Sequence, residues 1–257
     1  MADGAWRGHH RFYVETPLAV GVAVAVDALA RQLAGVLRLA PGAAIILFDG
    51  GGAEFLGELL SLTPRQASVQ IVATRSCPAE PTFSLTLYQC SLKQDKFEWV
   101  LQKGTELGVA RFAPVISSRS VVRPAAALRS KYARWRAILC EATEQCGRAR
   151  IPALAEPLTW DAAMATGDGQ RLVAWEAARE SRPLATAVAA LVASAQAASA
   201  PPRLSIAIGP EGGLAAEEIA TAQAHGWETV SLGPRILRAE TAAISAAAVV
   251  AALTERP

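Results

Sequence analysis

Two glycine-rich turns in the C-terminal part of the chain have the residue types that suit ligand binding. The first turn is Gly209–Gly213, which follows the apolar run Leu204–Ile208, and the second begins at Gly233 after Thr229–Leu232. Glycine lets a backbone approach a ligand closely, and the helix start after each turn offers unpaired N–H groups to an anionic group such as a carboxylate. Because loops that follow parallel strands emerge at one edge of a sheet, we expect both turns to line one pocket. For the first turn, a tight strand-to-helix connection without a ligand is the alternative.

Charged residues follow the second turn at short spacing. Arg235, Arg238 and Glu240 lie between Pro234 and a helical run of small residues. They suit a binding site for a charged or polar ligand, and a surface ion-pair cluster is the alternative. Neither turn has the G-x-G-x-x-G spacing, and no G-K-[ST] follows, so the pattern argues against a dinucleotide fold and a P-loop.

The elements that position these turns are indicated by hydrophobic periodicity. Before residue 77 the chain predicts short strands around one helix, which is typical of a small barrel. After it, strands alternate with helices, which predicts an α/β layer with a parallel sheet. The strands of the first part are predicted at 11–15, 18–26, 43–48, 55–60 and 68–74, with a helix from an Asp27 N-cap to Pro41. In the second part strands are predicted at 83–88, 109–116, 171–175, 204–208 and 229–232, with helices at 93–107, 128–146, 184–202, 214–224 and 240–253.

Composition limits the class of protein. The chain has 257 residues, 52% of them hydrophobic, and a formal net charge of +2. This length fits one large domain or two modest ones, and the apolar content excludes a disordered chain while leaving room for a local basic face. The N-terminal residues lack an apolar run, so we expect no signal peptide, no membrane partner and a cytoplasmic protein. No pair of cysteines has C-x-x-C spacing, so we expect free thiols and no metal site at the four positions Cys77, Cys90, Cys140 and Cys146.

Several motifs together resemble a known enzyme family. Ile208–Gly213 (Ile-Gly-Pro-Glu-Gly-Gly) followed by Leu232–Thr241 (Leu-Gly-Pro-Arg-Ile-Leu-Arg-Ala-Glu-Thr) is similar to the signature of the SPOUT RNA methyltransferases. More narrowly, the chain resembles the RsmE family of 16S rRNA (uracil-1498-N3) methyltransferases over residues 11–253. The supporting matches are Arg11-Phe12, Val36–Arg38 with Pro41-Gly42, Phe48–Gly50, Lys103–Gly108, Arg119-Ser120 and Glu141–Arg148.

The resemblance implies a fold, a reaction and partners. It implies a PUA-like RNA-binding barrel at residues 1–76 and a SPOUT methyltransferase domain with a deep trefoil knot at residues 77–257. It also implies a homodimer, S-adenosylmethionine as cofactor without a metal, and methyl transfer to N3 of a uridine in the 16S rRNA of the small ribosomal subunit. Alternatives are a SPOUT enzyme that acts on another RNA, and a non-catalytic RNA-binding assembly protein. The family often has a histidine before the Val-Leu-Arg motif, where this chain has Gln32.

Roles for individual residues follow from the resemblance. Arg238 is expected to stabilise negative charge on the uracil, and Glu240 to orient Arg238 or accept the N3 proton. The residues expected to bind the cofactor are Trp175, Gly209, Pro210, Glu211, Gly212, Leu232, Gly233, Ile236, Leu237 and Thr241. The residues expected to contact RNA are Arg11, Arg38, Arg119, Arg123, Arg148 and Arg150.

Overall fold

The computed structural model of the chain describes residues 6–177 and 181–255. Contacts divide it into two compact units. Unit 1 comprises Met1–Glu80 and Thr143–Ile151, and unit 2 comprises Pro81–Ala142 and Pro152–Pro257. The segment Thr143–Ile151 therefore belongs with the N-terminal unit. The predicted domain boundary between residues 76 and 77 stays a prediction.

Unit 1 contains a five-stranded mixed sheet. Its strands are β1 (Arg11–Tyr13), β2 (Ala23–Ala25), β3 (Ala44–Phe48), β4 (Ala53–Leu62) and β5 (Ala67–Ser76). Their order is β1-β3-β4-β5-β2, in which β1 and β3 are parallel and the other neighbours are antiparallel. Along β5, buried positions alternate with more accessible ones, as a strand with one face on a core requires. The predicted strands are present, although 18–26 is reduced to the three residues of β2.

The predicted helix after Val26 differs from the structure. Asp27–Leu29 forms a 3₁₀ turn and Gln32–Val36 a π-helix, in which Leu33 is buried and Val36 is exposed. The expectation that Asp27 caps this helix is wrong. Its Oδ1 instead accepts a hydrogen bond of 3.0 Å from the backbone N–H of Ala67, the first residue of β5. A tertiary contact with the sheet thus replaces the local cap.

A buried carboxylate lies at the centre of unit 1. Glu54 on β4 is 1% exposed and forms ion pairs with Arg11 and Arg75. Arg11 also donates a hydrogen bond of 3.0 Å to the carbonyl of Arg148, within the segment that returns to this unit. Because a buried charge without a partner is costly, these contacts fix β1, β4 and β5 together with that segment.

Unit 2 contains a seven-stranded sheet in which every pair is parallel. The strand order is β12-β10-β11-β6-β7-β8, and β9 also pairs with β7. The strands are β6 (Ser84–Cys90), β7 (Arg111–Ile116), β8 (Ala153–Leu154), β9 (Leu158–Thr159), β10 (Gln170–Ala174), β11 (Arg203–Ile208) and β12 (Glu228–Val230). The α/β class with a parallel sheet, predicted from the alternating pattern, is confirmed.

Helices connect the strands of unit 2. They are α1 (Lys96–Glu106), α2 (Ala125–Arg129), α3 (Tyr132–Cys146), α4 (Trp160–Ala165), α5 (Leu184–Ala197), α6 (Ala216–Ala224) and α7 (Ala239–Thr254). The helix predicted at 128–146 is two helices, α2 and α3, and the last residues of α3 count in unit 1. Phe97 on α1 stacks on Trp135 of α3 at 4.4 Å between ring centroids. In the described residues no helix is both long and apolar enough to cross a membrane, and the trefoil knot stays a prediction.

Candidate active site

Three loops of unit 2 enclose a cavity of about 440 Å³. They follow β10, β11 and β12, which are neighbours in the sheet in the order β12-β10-β11. Trp175 and Glu176 come from the first loop, Gly209–Glu211 from the second and Ser231–Arg238 from the third. The expectation that the turns at Gly209 and Gly233 line one pocket is therefore confirmed. The cavity volume is within the range that small-molecule sites occupy.

Most residues expected to bind the cofactor line this cavity. Gly212 and Thr241 do not. A Cβ on Gly212 would lie 3.0 Å from Cβ of Arg119, so the space beside this glycine is filled by protein, and Thr241 is exposed on α7. The predicted residues in the wall are Trp175, Gly209, Pro210, Glu211, Leu232, Gly233, Ile236 and Leu237. The lining residues that were not named individually as cofactor contacts, although four of them lie in the two turn motifs, are Lys96, Ala174, Ile208, Gly213, Ser231, Pro234, Ala239 and Ala242.

Gly213 shows why the first turn needs glycine. Its φ of +70° is in the left-handed region, and a Cβ there would overlap the carboxylate of Glu176. The turn after β11 and the loop after β10 therefore approach each other at a point where no side chain fits. This close approach forms one corner of the cavity.

Arg238 lies in the cavity wall immediately before α7. Its side chain is exposed, and its backbone carbonyl accepts the first helical hydrogen bond, 2.8 Å from the N–H of Ala242. Within the described ranges its guanidinium has no ion pair with Glu240, the residue expected to orient it. Glu240 instead lies 3.4 Å from Nζ of Lys96. The Arg238 guanidinium is thus available to a ligand in the cavity.

Lys96 is the functional candidate that sequence reasoning missed. It is the first residue of α1, and its Nζ lies 3.5 Å from Oε1 of Glu211 and 3.4 Å from Oε1 of Glu240. Glu211 also accepts a hydrogen bond of 3.1 Å from the backbone N–H of Lys93. A lysine at the start of an amphipathic helix gives no sequence signal, because only the packing of α1 against α7 brings it to the turns.

Comparison with known proteins identifies the family of the chain. The family model for an RNA methyltransferase domain matches residues 78–251, and the model for an RNA methyltransferase PUA domain matches residues 33–72. A protein from Synechocystis named Ribosomal RNA small subunit methyltransferase E is 34% identical over 86% of this chain and 69% of its own length. The Bacillus subtilis protein of the same name is 31% identical over 87% of both chains. The chain belongs to this family of RNA methyltransferases.

Solved structures of RNA methyltransferase relatives have the same fold. Ribosomal RNA small subunit methyltransferase E from Neisseria gonorrhoeae, bound to S-adenosylmethionine, matches with a TM-score of 0.81 at 30% identity over 95% of this chain and 98% of that chain. A methyltransferase from Legionella pneumophila with the same bound cofactor matches with a TM-score of 0.77 at 30% identity over 95% and 97%. The PUA-like character of unit 1 and the methyltransferase fold of unit 2 are thereby confirmed.

The cavity fits the cofactor of this methyltransferase family. Ile236 is 74% exposed at the cavity wall, where an apolar side chain can cover an adenine face. In the described part of the chain, the backbone N–H groups of Ile236 and Leu237 donate no hydrogen bond to the protein. Such N–H groups can bind the polar edge of a base while apolar side chains cover its face. A donor set of this kind suits the adenosine of S-adenosylmethionine.

The arginines predicted to contact RNA fall into two groups. Arg38, Arg119, Arg123 and Arg150 are exposed. Arg119 donates a hydrogen bond of 3.2 Å to the carbonyl of Gly212, and Arg123 donates to the carbonyls of Ser118 and Ser120. These contacts leave the charged faces of both residues open to solvent.

Arg11 and Arg148 lie inside unit 1. The Arg11 side chain is 16% exposed and pairs with Glu54. Arg148 is 4% exposed and lies 3.5 Å from Oε2 of Glu80. Since a phosphate contact requires an accessible guanidinium, this placement gives both residues a structural role in the protein and does not support the predicted RNA contact.

Proposed function

We propose that the chain uses S-adenosylmethionine to methylate N3 of uridine 1498 in the 16S rRNA of the small ribosomal subunit. The observation that carries this proposal is the cavity formed by the loops after β10, β11 and β12, in a fold whose solved relatives hold S-adenosylmethionine. The names of the relatives supply the ribosomal RNA substrate. The particular base and atom follow from the resemblance of the two turn motifs to the RsmE signature.

The cofactor residues are proposed from their positions in the wall. The backbone of Leu232, Gly233, Ile236 and Leu237 would hold the adenine, and the turn at Gly209 would face the ribose and the amino acid part. When bound, S-adenosylmethionine supplies an electrophilic methyl group. The protein then contributes mainly by positioning, because an in-line displacement requires the nucleophilic atom on one axis with the methyl carbon.

Arg238 is proposed as the residue that activates the base. Uracil N3 carries a proton in its neutral form, and negative charge develops on the O2 and O4 edges as that proton passes to solvent water. A guanidinium in the cavity wall stabilises this charge by donating hydrogen bonds to it. Arg238 is exposed to the cavity and free of ion pairs in the described residues, which supports this assignment.

RNA binding is proposed to use both units. The exposed arginines of unit 1 (Arg38 and Arg150) and of unit 2 (Arg119 and Arg123) would bind phosphates, and the target base would leave its stack to enter the cavity. The proposal also includes an RNA-binding role for the PUA-like unit 1, a knotted methyltransferase unit, a homodimer and a cytoplasmic location.

Two measurements test the proposal. Isothermal titration of the full chain with S-adenosylmethionine should give saturable binding at one site. Mass mapping of 16S rRNA from a deletion strain should show a uridine that lacks its N3 methyl group, and expression of the wild-type chain should restore it. Absence of cofactor binding would favour a non-catalytic RNA-binding protein. An intact N3-methyluridine in the deletion strain would move the activity to another RNA.

A further inference from the structure

Lys96, Glu211 and Glu240 form a charged cluster at the edge of the cavity, which we call the lysine cluster. They come from the start of α1, the turn after β11 and the first turn of α7. Lys96 and Glu211 line the cavity, whereas Glu240 does not. The proposed function gives Lys96 and Glu211 no contact with the reacting base, and Glu240, which was expected to orient Arg238 or accept the N3 proton, lies beside Lys96 instead. Their placement therefore needs a separate explanation.

The cluster leaves hydrogen-bonding capacity unused. Oε1 of Glu211 lies 3.5 Å from Nζ of Lys96, and Oε1 of Glu240 lies 3.4 Å from it. Both distances are outside the usual range for an N–H···O hydrogen bond. The Lys96 side chain is 30% exposed and lies in the cavity wall, so its ammonium is accessible from the cavity. An ammonium group has three N–H donors. Lys96 therefore has donors left for a polar group that enters the cavity.

The charges of the cluster select the kind of group that completes it. One ammonium lies beside two carboxylates, so the local formal charge is negative. A phosphate or another purely anionic group near Lys96 would be repelled by Glu211 and Glu240. A zwitterion has no such difficulty, because its negative end can face Lys96 while its positive end faces Glu211. An α-amino acid group carries these two charges on adjacent atoms.

We propose that the lysine cluster binds the α-amino acid end of S-adenosylmethionine. Lys96 binds the α-carboxylate and Glu211 binds the α-ammonium group, while Glu240 holds the Lys96 side chain from the side away from the cavity. The inference rests on the proposed function, since it requires this cofactor in the cavity. It adds a recognition site for one end of the cofactor. Glu211 and Glu240 of this site lie in the two turn motifs, and Lys96 lies outside them.

Ligands that lack one end group distinguish recognition from structural support. Decarboxylated S-adenosylmethionine lacks the carboxylate, and 5′-methylthioadenosine lacks the whole amino acid part. Isothermal titration of the wild-type chain should give about 10- to 100-fold weaker binding of the decarboxylated compound, the factor expected for one lost charged hydrogen bond. The Lys96→Met variant should bind S-adenosylmethionine and its decarboxylated form with similar affinity, and both at the weakened level. Its affinity for 5′-methylthioadenosine should equal that of the wild type.

Matched variants complete the design. Lys103→Met makes the same change two turns along α1, where the lysine pairs with Glu106 outside the cavity, and it should behave as the wild type with all three ligands. Lys96→Arg should recover part of the preference for the carboxylate. Glu211→Gln should weaken S-adenosylmethionine and its decarboxylated form by the same factor, because both carry the ammonium group, and should leave 5′-methylthioadenosine unchanged.

Each other outcome decides against a specific claim. If Lys96→Met weakens 5′-methylthioadenosine as much as S-adenosylmethionine, the lysine only supports the loops and the inference is overturned. If Lys96→Met retains the wild-type preference for the carboxylate, Lys96 does not touch it and the inference is again overturned. If the wild-type chain binds none of the three ligands, the proposed function itself fails. This result differs from both Lys96→Met results, in which the wild-type chain still binds S-adenosylmethionine.

Discussion

Arg238 has three properties of a residue that stabilises charge in a reaction. It lines the cavity, its side chain is exposed, and it has no ion pair among the described residues. Arg238→Ala should therefore lower kcat for methylation of 16S rRNA by about 100-fold or more, the usual effect of removing a donor aimed at developing charge. The thermal unfolding temperature and the affinity for S-adenosylmethionine should stay near the wild-type values, because no described interaction within the protein is lost.

Arg203→Ala is the matched control for Arg238. Arg203 is an exposed arginine at the amino end of β11, where it pairs with Asp168 and lowers the pKa of that carboxyl group by hydrogen bonding. Its loss should leave kcat unchanged. If Arg238→Ala methylates rRNA at the wild-type rate, its proposed role is wrong and the stabilising group must be sought among the other residues of the wall.

Cys90 is expected to be unreactive in the folded protein. Burial raises the pKa of this thiol from 9.0 to about 12. The thiol of the folded protein therefore stays protonated at pH values at which the same thiol in the unfolded chain ionises. Because the thiolate is the nucleophile, iodoacetamide at pH 8 should modify Cys146, which is partly exposed, well before Cys90. Peptide mass mapping of the native and the unfolded chain measures this difference.

The same thiol makes a contribution to stability that depends on pH. Between pH 9 and 12 the folded state holds a proton that the unfolded state has lost. The stabilisation present below pH 9 is then lost as the pH rises. In this range the free energy of unfolding should fall more steeply for the wild type than for Cys90→Ala, by up to about 1.4 kcal/mol per pH unit. Equal slopes for the two proteins would contradict the burial of Cys90.

The residues of the site were predictable to different degrees. The turn residues Gly209 and Gly233 were found because glycine followed by proline after an apolar run predicts a turn without any knowledge of tertiary contacts. Lys96 was not found, because its role depends on packing between α1, the turn after β11 and the start of α7, which are more than a hundred residues away in the chain. The RNA contact predicted for Arg148 rested on its charge, which is visible in a sequence, whereas its burial inside unit 1 is not.

At the scale of elements, the turn after β11 depends on the absence of a side chain at Gly213. Its φ is +70°, and a Cβ would overlap the carboxylate of Glu176. Gly213→Ala should destabilise the protein by more than the ~1–2 kcal/mol that a left-handed alanine costs, and should weaken S-adenosylmethionine binding as Glu176 moves. Thermal unfolding and isothermal titration measure the two effects.

Gly226 provides the control for that substitution. Its φ is +77°, similar to that of Gly213, but a Cβ there would have no atom within 4 Å. Gly226→Ala therefore shows the cost of the backbone conformation alone and should leave cofactor binding unchanged. Equal losses of stability in the two variants, with normal cofactor affinity in both, would show that the approach of Glu176 to Gly213 does not shape the cavity.

The elements themselves were largely predictable from periodicity, and the exceptions have local causes. The strands of unit 2 are buried runs bounded by turns, so their apolar pattern fixes them in the sequence. The helix predicted to begin at Asp27 is not formed as expected, because the Asp27 carboxylate accepts a hydrogen bond from the backbone N–H of Ala67, distant in the chain, and does not cap a helix. The short strands β8 and β9 were not predicted, since two residues carry no periodic signal.

At the scale of the whole molecule, a net charge of +2 gives no general attraction to RNA, so affinity must come from the positions of particular arginines. Arg123 and Arg150 are exposed in units 2 and 1, respectively. Arg123→Ala and Arg150→Ala should each weaken binding to a 16S rRNA fragment and lower the slope of log K against log salt by about 0.7, as expected for one lost phosphate contact.

Arg148→Met should lower the unfolding temperature, because its side chain is buried near Glu80, and should leave that slope unchanged. Filter binding at several salt concentrations measures the slopes, and calorimetry measures the unfolding temperatures. A reduced slope for Arg148→Met, with wild-type slopes for the other two variants, would show that the exposed arginines Arg123 and Arg150 do not contact the RNA.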